Sequence, residues 1–310
     1  MAQEKYVAYV GTYTHENSIG IHVYDIDMEK GKLTERSVAP ISNPSNIAVA
    51  HSGKYLYSIE DEGVASFSID ENGDLTKINQ AWIGGMRACY VEIDSNDRYL
   101  FLAGFHDGKV TMMRLNEDGS IAGIADGVFH QGVGKSSVEK RMDPRVSCTK
   151  LTPDEKYLCA VDWGLNQIKI YEVDYEEGKL HLYDILRFPF NSAPRRIRFS
   201  KDGKFAYVLE ETTNMVDIYT YDLREGKPVF EKIKTTSVLE KEDSLASGSA
   251  LEFAPDGKYL YVSLDGANEV VCLAVGEDGL ISIEETTKIS GDYPKCITIL
   301  PDNKTLVSLN

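Results

Sequence analysis

The chain has 310 residues, 42% hydrophobic and 26% charged, with a formal charge of −16. This composition describes a soluble globular protein with a large core and excludes a nucleic-acid or anionic-membrane face, because both need a basic surface. No run approaches the ~18 apolar residues of a membrane span, and MAQEKYVAYV has neither a basic start nor an apolar signal core, so a cytoplasmic location is expected.

From the N-terminus, KYVAYVGTY reads as an apolar strand, and a repeating unit begins after it. The unit is a strand, a short polar turn and a second strand rich in Tyr, Leu and Val. Its six copies are NIAVAHSGKYLYSIED from Asn46, YVEIDSNDRYLFLAGF from Tyr90, CTKLTPDEKYLCAVDW from Cys148, RIRFSKDGKFAYVLEE from Arg196, ALEFAPDGKYLYVSLD from Ala250 and CITILPDNKTLVSLN from Cys296. Pro, Asp, Gly and Asn at the turns supply the backbone angles of tight hairpins. A second hairpin interleaves with the first, with acidic turns EKGKL at Glu29, ENGDL at Glu71, EDGSI at Glu117, EEGKL at Glu176, REGKP at Arg224 and EDGLI at Glu277.

Together these hairpins (A–B, then C–D) describe four-stranded antiparallel blades in an all-β propeller forming a single domain over residues 1–310. KYVAYVGTY has B-strand character, which makes seven B strands and predicts seven blades. The first blade then lacks its A strand and the last stops after its B strand at Asn310. C-terminal closure is therefore expected to be incomplete, by about one repeat of roughly 40 residues. A competing count of six blades leaves KYVAYVGTY as a redundant edge, which proteins usually avoid. No segment has clear helical periodicity beyond a single turn at residues 136–142.

The cysteines Cys89, Cys148, Cys159, Cys272 and Cys296 form no CxxC pair and lie mostly in strand-like runs, which reads as buried reduced thiols. The six histidines never stand at metal-ligand spacing from a carboxylate, so neither a metal nor a redox cofactor is expected. GxGxxG, P-loop and GxSxG patterns are absent. The stretch from His130 to Gly164 carries the densest chemistry: a polar loop, then Arg141, Asp143, Arg145 and Ser147 at alternate positions, then a hairpin ending in Asp162 and Gly164. It reads as a place to hold a small anion.

GTYT at Gly11 with SIGIHVY, NPS at Asn43, HQGVG at His130, APRRIRF at Ala193, SGSALEFAPDGKYLYVS at Ser247 and YPK at Tyr293 resemble the propeller-type lactonases, including the bacterial 6-phosphogluconolactonases. The resemblance covers essentially the whole chain and implies a site at one mouth of a central channel. It also has departures. The family's Pro-His-x-His stands here as Pro144, Arg145, Val146 and Ser147, and its Gly-Pro-Arg-His as Ala193, Pro194, Arg195 and Arg196. Its Asn-Glu-Leu is Glu210, Glu211 and Thr212; its Asn-Arg-Gly is Leu264, Asp265 and Gly266; its Asp-Leu-Gly is Asp162, Trp163 and Gly164; its last Pro-Arg is Pro294 and Lys295.

Lactone opening needs a water, a proton acceptor and positive groups for the developing oxyanion, and a phosphorylated substrate needs further basic residues. Glu211 is the preferred general base, followed by Asp162 and His106. Arg145, Arg195, Arg196, Arg141, Lys295 and Ser147 are the candidate substrate-binding residues. Each also has a plainer reading: junction ion pairs for Glu211 and the arginines, a strand-end cap for Asp162, and solvated loop positions for His106 and Arg141. The expectation is a monomeric enzyme that opens a sugar-acid lactone. Its rival is a non-catalytic propeller that binds a sugar phosphate, a carboxylate or a protein partner.

Overall fold

Alternating apolar residues punctuated by left-handed turn residues leave the chain only one regular option, the antiparallel hairpin. The computed structural model describes residues 6–15, 17–132 and 143–310, and within them the regular elements are strands, without a helix. Arg141 and the single turn expected at residues 136–142 lie outside the described residues. The six A–B turns place Gly53, Asp97, Glu155, Gly203, Gly257 and Asn303 at positive φ, as the Asp-Gly and Asp-Asn signals require.

Seven antiparallel sheets follow one another along the chain, and every strand pairs with its sequence neighbour. The first contains β1 (Tyr6–Val10), β2 (Gly20–Asp27) and β3 (Lys32–Pro40). The second contains β4 (Ile47–Val49), β5 (Tyr55–Glu60), β6 (Gly63–Ile69) and β7 (Leu75–Ala81), and the third β8 (Tyr90–Ile93), β9 (Tyr99–Ala103), β10 (Lys109–Leu115) and β11 (Ile121–Phe129). The fourth contains β12 (Val146–Leu151), β13 (Tyr157–Asp162), β14 (Gln167–Asp174) and β15 (Lys179–Arg187). The fifth contains β16 (Pro194–Phe199), β17 (Phe205–Glu210), β18 (Met215–Arg224) and β19 (Lys227–Ser237). The sixth contains β20 (Ser247–Phe253), β21 (Tyr259–Asp265), β22 (Glu269–Val275) and β23 (Ile281–Lys288), and the last sheet pairs β24 (Cys296–Ile299) with β25 (Leu306–Leu309). Five sheets are four-stranded, the first has three strands and the last two. This is the strand tally that the out-of-phase ends of the repeat predicted.

The chain forms two compact units, Met1–Leu151 with Tyr171–Tyr183, and Thr152–Ile170 with Asp184–Asn310. In the first unit, Tyr57, Ile59 and Val64 of the second sheet pack with Val91, Leu100, Leu102 and Met113 of the third. In the second, Tyr207, Leu209, Val216 and Ile218 of the fifth sheet pack with Leu251, Leu260, Val262 and Val271 of the sixth. Faces of successive sheets thus bury one another, and each such side chain contributes about 1.5–3 kcal/mol.

The recurrent tyrosines do more than fill this core. Tyr9 donates its hydroxyl to the Gly73 carbonyl at 2.8 Å, Tyr57 to Gly119 at 3.1 Å, Tyr99 to Tyr175 at 2.8 Å, Tyr157 to Gly226 at 3.1 Å and Tyr207 to Gly279 at 2.8 Å. In each case a B-strand ring clasps the C–D turn of the following sheet. Glycine is required in that turn for two reasons. At Gly119 φ is +78°, and a Cβ would sit 2.2 Å from the Tyr55 ring. At Gly279 φ is +77°, and a Cβ would sit 2.3 Å from the Phe205 ring. The acidic-Gly turns of the sequence are therefore sockets for aromatic residues 62 to 76 positions earlier.

All five cysteines are free thiols, with Cys148 and Cys159 buried, but Cys89 and Cys272 are only part-buried and Cys296 is exposed. Burial as a general reading of the cysteines is corrected on that point, because Cys296 opens the two-stranded last sheet. His22 also finds a carboxylate that linear spacing hides: its Nδ1 lies 2.9 Å from Glu35 across the β2–β3 hairpin. Among the described residues, no group of three or more His, Cys, Asp or Glu is placed to hold a metal ion, and no helix is long and apolar enough to cross a membrane.

Candidate functional site

The second unit builds a carboxylate centre from the ends of two B strands and the start of one A strand. Pro194 begins β16, where its missing N–H removes no ladder bond. Pro194 lies opposite Glu210 and Arg196 opposite Leu209, so Arg195 is the extra residue of a β-bulge. A bulge re-aims one side chain out of the alternating pattern, and here it turns Arg195 onto Glu211. The Arg195 Nη1 donates to Glu211 Oε2, with side-chain exposures of only 22% and 20%. The indole Nε1 of Trp163 donates to the same oxygen at 2.9 Å.

The backbone under this pair is held from the fourth sheet's B–C turn. Asn166, left-handed at φ 51° and buried, accepts the Ala193 N–H on Oδ1 at 2.9 Å, while its carbonyl accepts the Phe188 N–H at 2.9 Å. Ala193 is itself left-handed at φ 52°, a conformation that costs a non-glycine residue about 1–2 kcal/mol. Its carbonyl accepts the Glu211 N–H at 2.9 Å, and the Glu211 carbonyl accepts the Gly248 N–H at 3.1 Å. Glu211 is thus fixed by its backbone as well as its carboxylate. Asn214 and Asn268 occupy the same turn position in the next two sheets, at φ 53° and 58°. An asparagine at a constant distance after the third, fourth and fifth A–B turns was the sequence signal for these anchors, and reading only the turns missed it.

The other candidates fall in different surroundings. Asp162, expected either as a base or as a cap, is fully buried and accepts the Leu165 N–H at 3.0 Å, closing the turn after β13. Lys295 pairs with Asp265 across the sixth and last sheets, with its ammonium 5.9 Å from the Tyr293 ring. The acid that replaces a family base at Asp265 thus meets a cation from the next sheet. Arg196 turns back to the Arg195 carbonyl at 3.3 Å, and Arg198, two residues further along β16, pairs with Glu252. Arg145, Ser147 and His106 belong to the first unit. There the Arg145 guanidinium lies 5.3 Å from the Phe105 ring, Ser147 is buried, and His106 is exposed with its ring edge-on to Phe105.

The first unit also carries a constellation that the sequence did not flag. Asn43 Nδ2 donates to both Asp61 oxygens at 2.8 and 2.9 Å, Arg87 donates to the Asn43 carbonyl and to Ser45, and the Arg87 guanidinium lies 5.2 Å from the exposed Tyr13 ring. Asp61 is the first residue after β5, as Trp163 is after β13 and Glu211 after β17. Counting from the A–B turns would have aligned these three positions.

Beside the centre, burial pushes the Glu210 carboxyl above its ordinary range, with the Thr213 hydroxyl bond opposing that rise. A raised folded-state value means that the folded protein binds more protons than the unfolded chain, so this contribution is full in acid and lost as pH rises through the folded value. Glu210→Gln keeps an acceptor for Thr213 and removes the buried charge. The variant is expected to melt above the parent at pH 7–8, with the gain vanishing below the carboxylate range. Equal melting curves across that range would show that Glu210 does not couple folding to protons.

The sequence model of the family described as Lactonase, 7-bladed beta-propeller matches residues 7–310. The 6-phosphogluconolactonase of Bacillus subtilis (strain 168) is 32% identical, over 99% of this chain and 88% of the relative. The solved periplasmic gluconolactonase of Pseudomonas aeruginosa superposes with a TM-score of 0.89 at 27% identity, covering 98% of this chain and 88% of the other. A protein from Lactobacillus plantarum superposes with a TM-score of 0.88 at 27% identity, covering 99% and 89% of the two chains.

Proposed function

Since the chain belongs to the lactonase family of β-propellers, we propose that it hydrolyses a sugar-acid lactone, with 6-phosphogluconolactone, opened to 6-phosphogluconate in the cytoplasm, as the first substrate to test. Its seven successive sheets then stand for seven blades, the number in the family's description. The observation that carries the reading is the Glu211 carboxylate, pinned through Oε2 by Trp163 and Arg195 and backed by two backbone hydrogen bonds. With Oε2 occupied, Oε1 is the oxygen left to take a proton from water.

In this mechanism water attacks the lactone carbonyl carbon and passes a proton to Glu211 Oε1. The carbonyl oxygen becomes an oxyanion, and the adjacent Arg195 charge stabilises it as it forms. Collapse breaks the ring carbon–oxygen bond, and the leaving alkoxide recovers the proton from Glu211. The products are a free acid and a hydroxyl, with no redox step and no cofactor. Arg195 is suited equally to a carboxylate or a phosphate.

The same ion pair also favours a second reading. A carboxylate already engaged by an arginine and an indole N–H also reads as one wall of a fixed polar pocket, which suits a protein that binds a sugar acid without turning it over. The deciding measurement follows acid release from freshly generated 6-phosphogluconolactone, corrected for spontaneous opening. Acceleration proportional to protein concentration is expected. No acceleration, together with a saturable thermal shift by 6-phosphogluconate, would replace the enzyme with the binding protein.

A further inference from the structure

We propose that Trp163 is the positioning residue of the Glu211 carboxylate, and that its indole emission therefore reports the state of that site; the kinetic part of this inference rests on the lactonase reading above. An indole N–H can only donate. In the second unit it is aimed at Oε2 of a carboxylate 48 residues further along the chain, at 2.9 Å. Arg195 reaches the same oxygen from the bulged start of β16. The terminal torsion of a glutamate is broad and sets no carboxylate plane by itself. Two donors from separate parts of the chain on one oxygen do set it, and Oε1 is the oxygen that neither of them engages.

Trp163 and Glu211 reach each other because they occupy the same register position, the first residue after β13 and after β17. The turn that carries Trp163 is rigid for independent reasons: Asp162 caps it through Leu165, and Asn166 ties it to Ala193. The indole is thus a fixed post and the carboxylate the part that it orients. Trp163 has its N–H committed to Glu211, so it acts on the reaction through that residue and is not itself the catalytic group. Losing one donor to a charged group loosens the geometry by which a base meets its water.

The chain has two tryptophans, and Trp82 is 68% exposed at the end of the second sheet. Trp82→Phe therefore leaves Trp163 as a single reporter without touching the site. Trp163→Phe is expected to lower kcat about tenfold or more while KM stays within about twofold, given the strength of hydrogen bonds to charged groups. Trp163→His, which restores a ring N–H, is expected to recover part of that loss. In the Trp82→Phe background, Trp163 emission is expected to change on adding Glu211→Ala, which removes the acceptor, and, separately, on titration with 6-phosphogluconate.

A Trp163→Phe enzyme with unchanged kcat would overturn the positioning role. Emission indifferent to Glu211→Ala would overturn it as well, and that arm needs no turnover. If the parent protein accelerates no lactone opening, the lactonase reading fails alone, and the emission comparison still decides whether Trp163 holds Glu211.

Discussion

Glu211→Gln is expected to lower the catalysed rate of lactone opening by about 10²- to 10⁴-fold, the usual contribution of a positioned general base. The substitution is close to isosteric. The amide oxygen can still accept the Trp163 N–H, and the backbone bonds to Ala193 and Gly248 do not involve the side chain. What is removed is the basic oxygen and the charge that Arg195 faces. A part-exposed pair of this kind contributes about 1 kcal/mol to stability, so the variant should fold, and the rate loss reads as chemistry. Initial rates against lactone concentration separate the two roles at the site. Loss of the base falls on kcat, whereas Arg195→Lys, which keeps charge but loses the planar fork, should raise KM as well. Undiminished acceleration by Glu211→Gln would remove the carboxylate from the mechanism and leave the pinned pair as structural.

The fold was legible because its signals are local and repeated. Asp-Gly and Asp-Asn turns set hairpins, alternation set faces, and counting B strands from KYVAYVGTY gave a three-stranded first sheet and a two-stranded last one. The site was legible only in part. Glu211 and Arg195 could be named from residue type and resemblance, but their contact depends on a bulge that breaks the alternation at Arg195, and strict period-two reading has no place for an extra residue. Trp163 looked like a neutral substitution in a turn, because the value of an indole N–H depends on an acceptor from the next sheet. Lys295 was named as a candidate substrate-binding residue and Asp265 only as the residue at a family arginine position, and their pairing across two sheets is visible only in the structure. The hydroxyls of the recurrent tyrosines went unread because each acceptor is a backbone carbonyl 62 to 76 residues away. Pairings across sheets are what the linear pattern does not carry.

The largest stability effect is expected at Lys232 and Asp217 of the fifth sheet, and it is expected to be asymmetric. Asp217 is fully buried on β18, accepts Lys232 Nζ and Thr235 Oγ1 at 2.6 Å each, and lies 3.4 Å from the Tyr219 hydroxyl. Burial and this carboxylate together push the Tyr219 phenol up. The Lys232 side chain is 41% exposed. Lys232→Met therefore strands a carboxylate with no access to water and only two neutral donors, which should cost about 3–5 kcal/mol. Asp217→Asn leaves an ammonium that can turn into solvent and an amide that still accepts one bond, so its cost should be smaller, about 1–2 kcal/mol. Replacing both, as Lys232→Met with Asp217→Asn, should recover much of the larger loss, because the uncompensated charge is gone. Chemical denaturation of the three variants beside the parent measures all of these terms. Equal costs for the two single substitutions would mean that the pair acts as an exposed ion pair and that Asp217 finds water in spite of its position in the sheet.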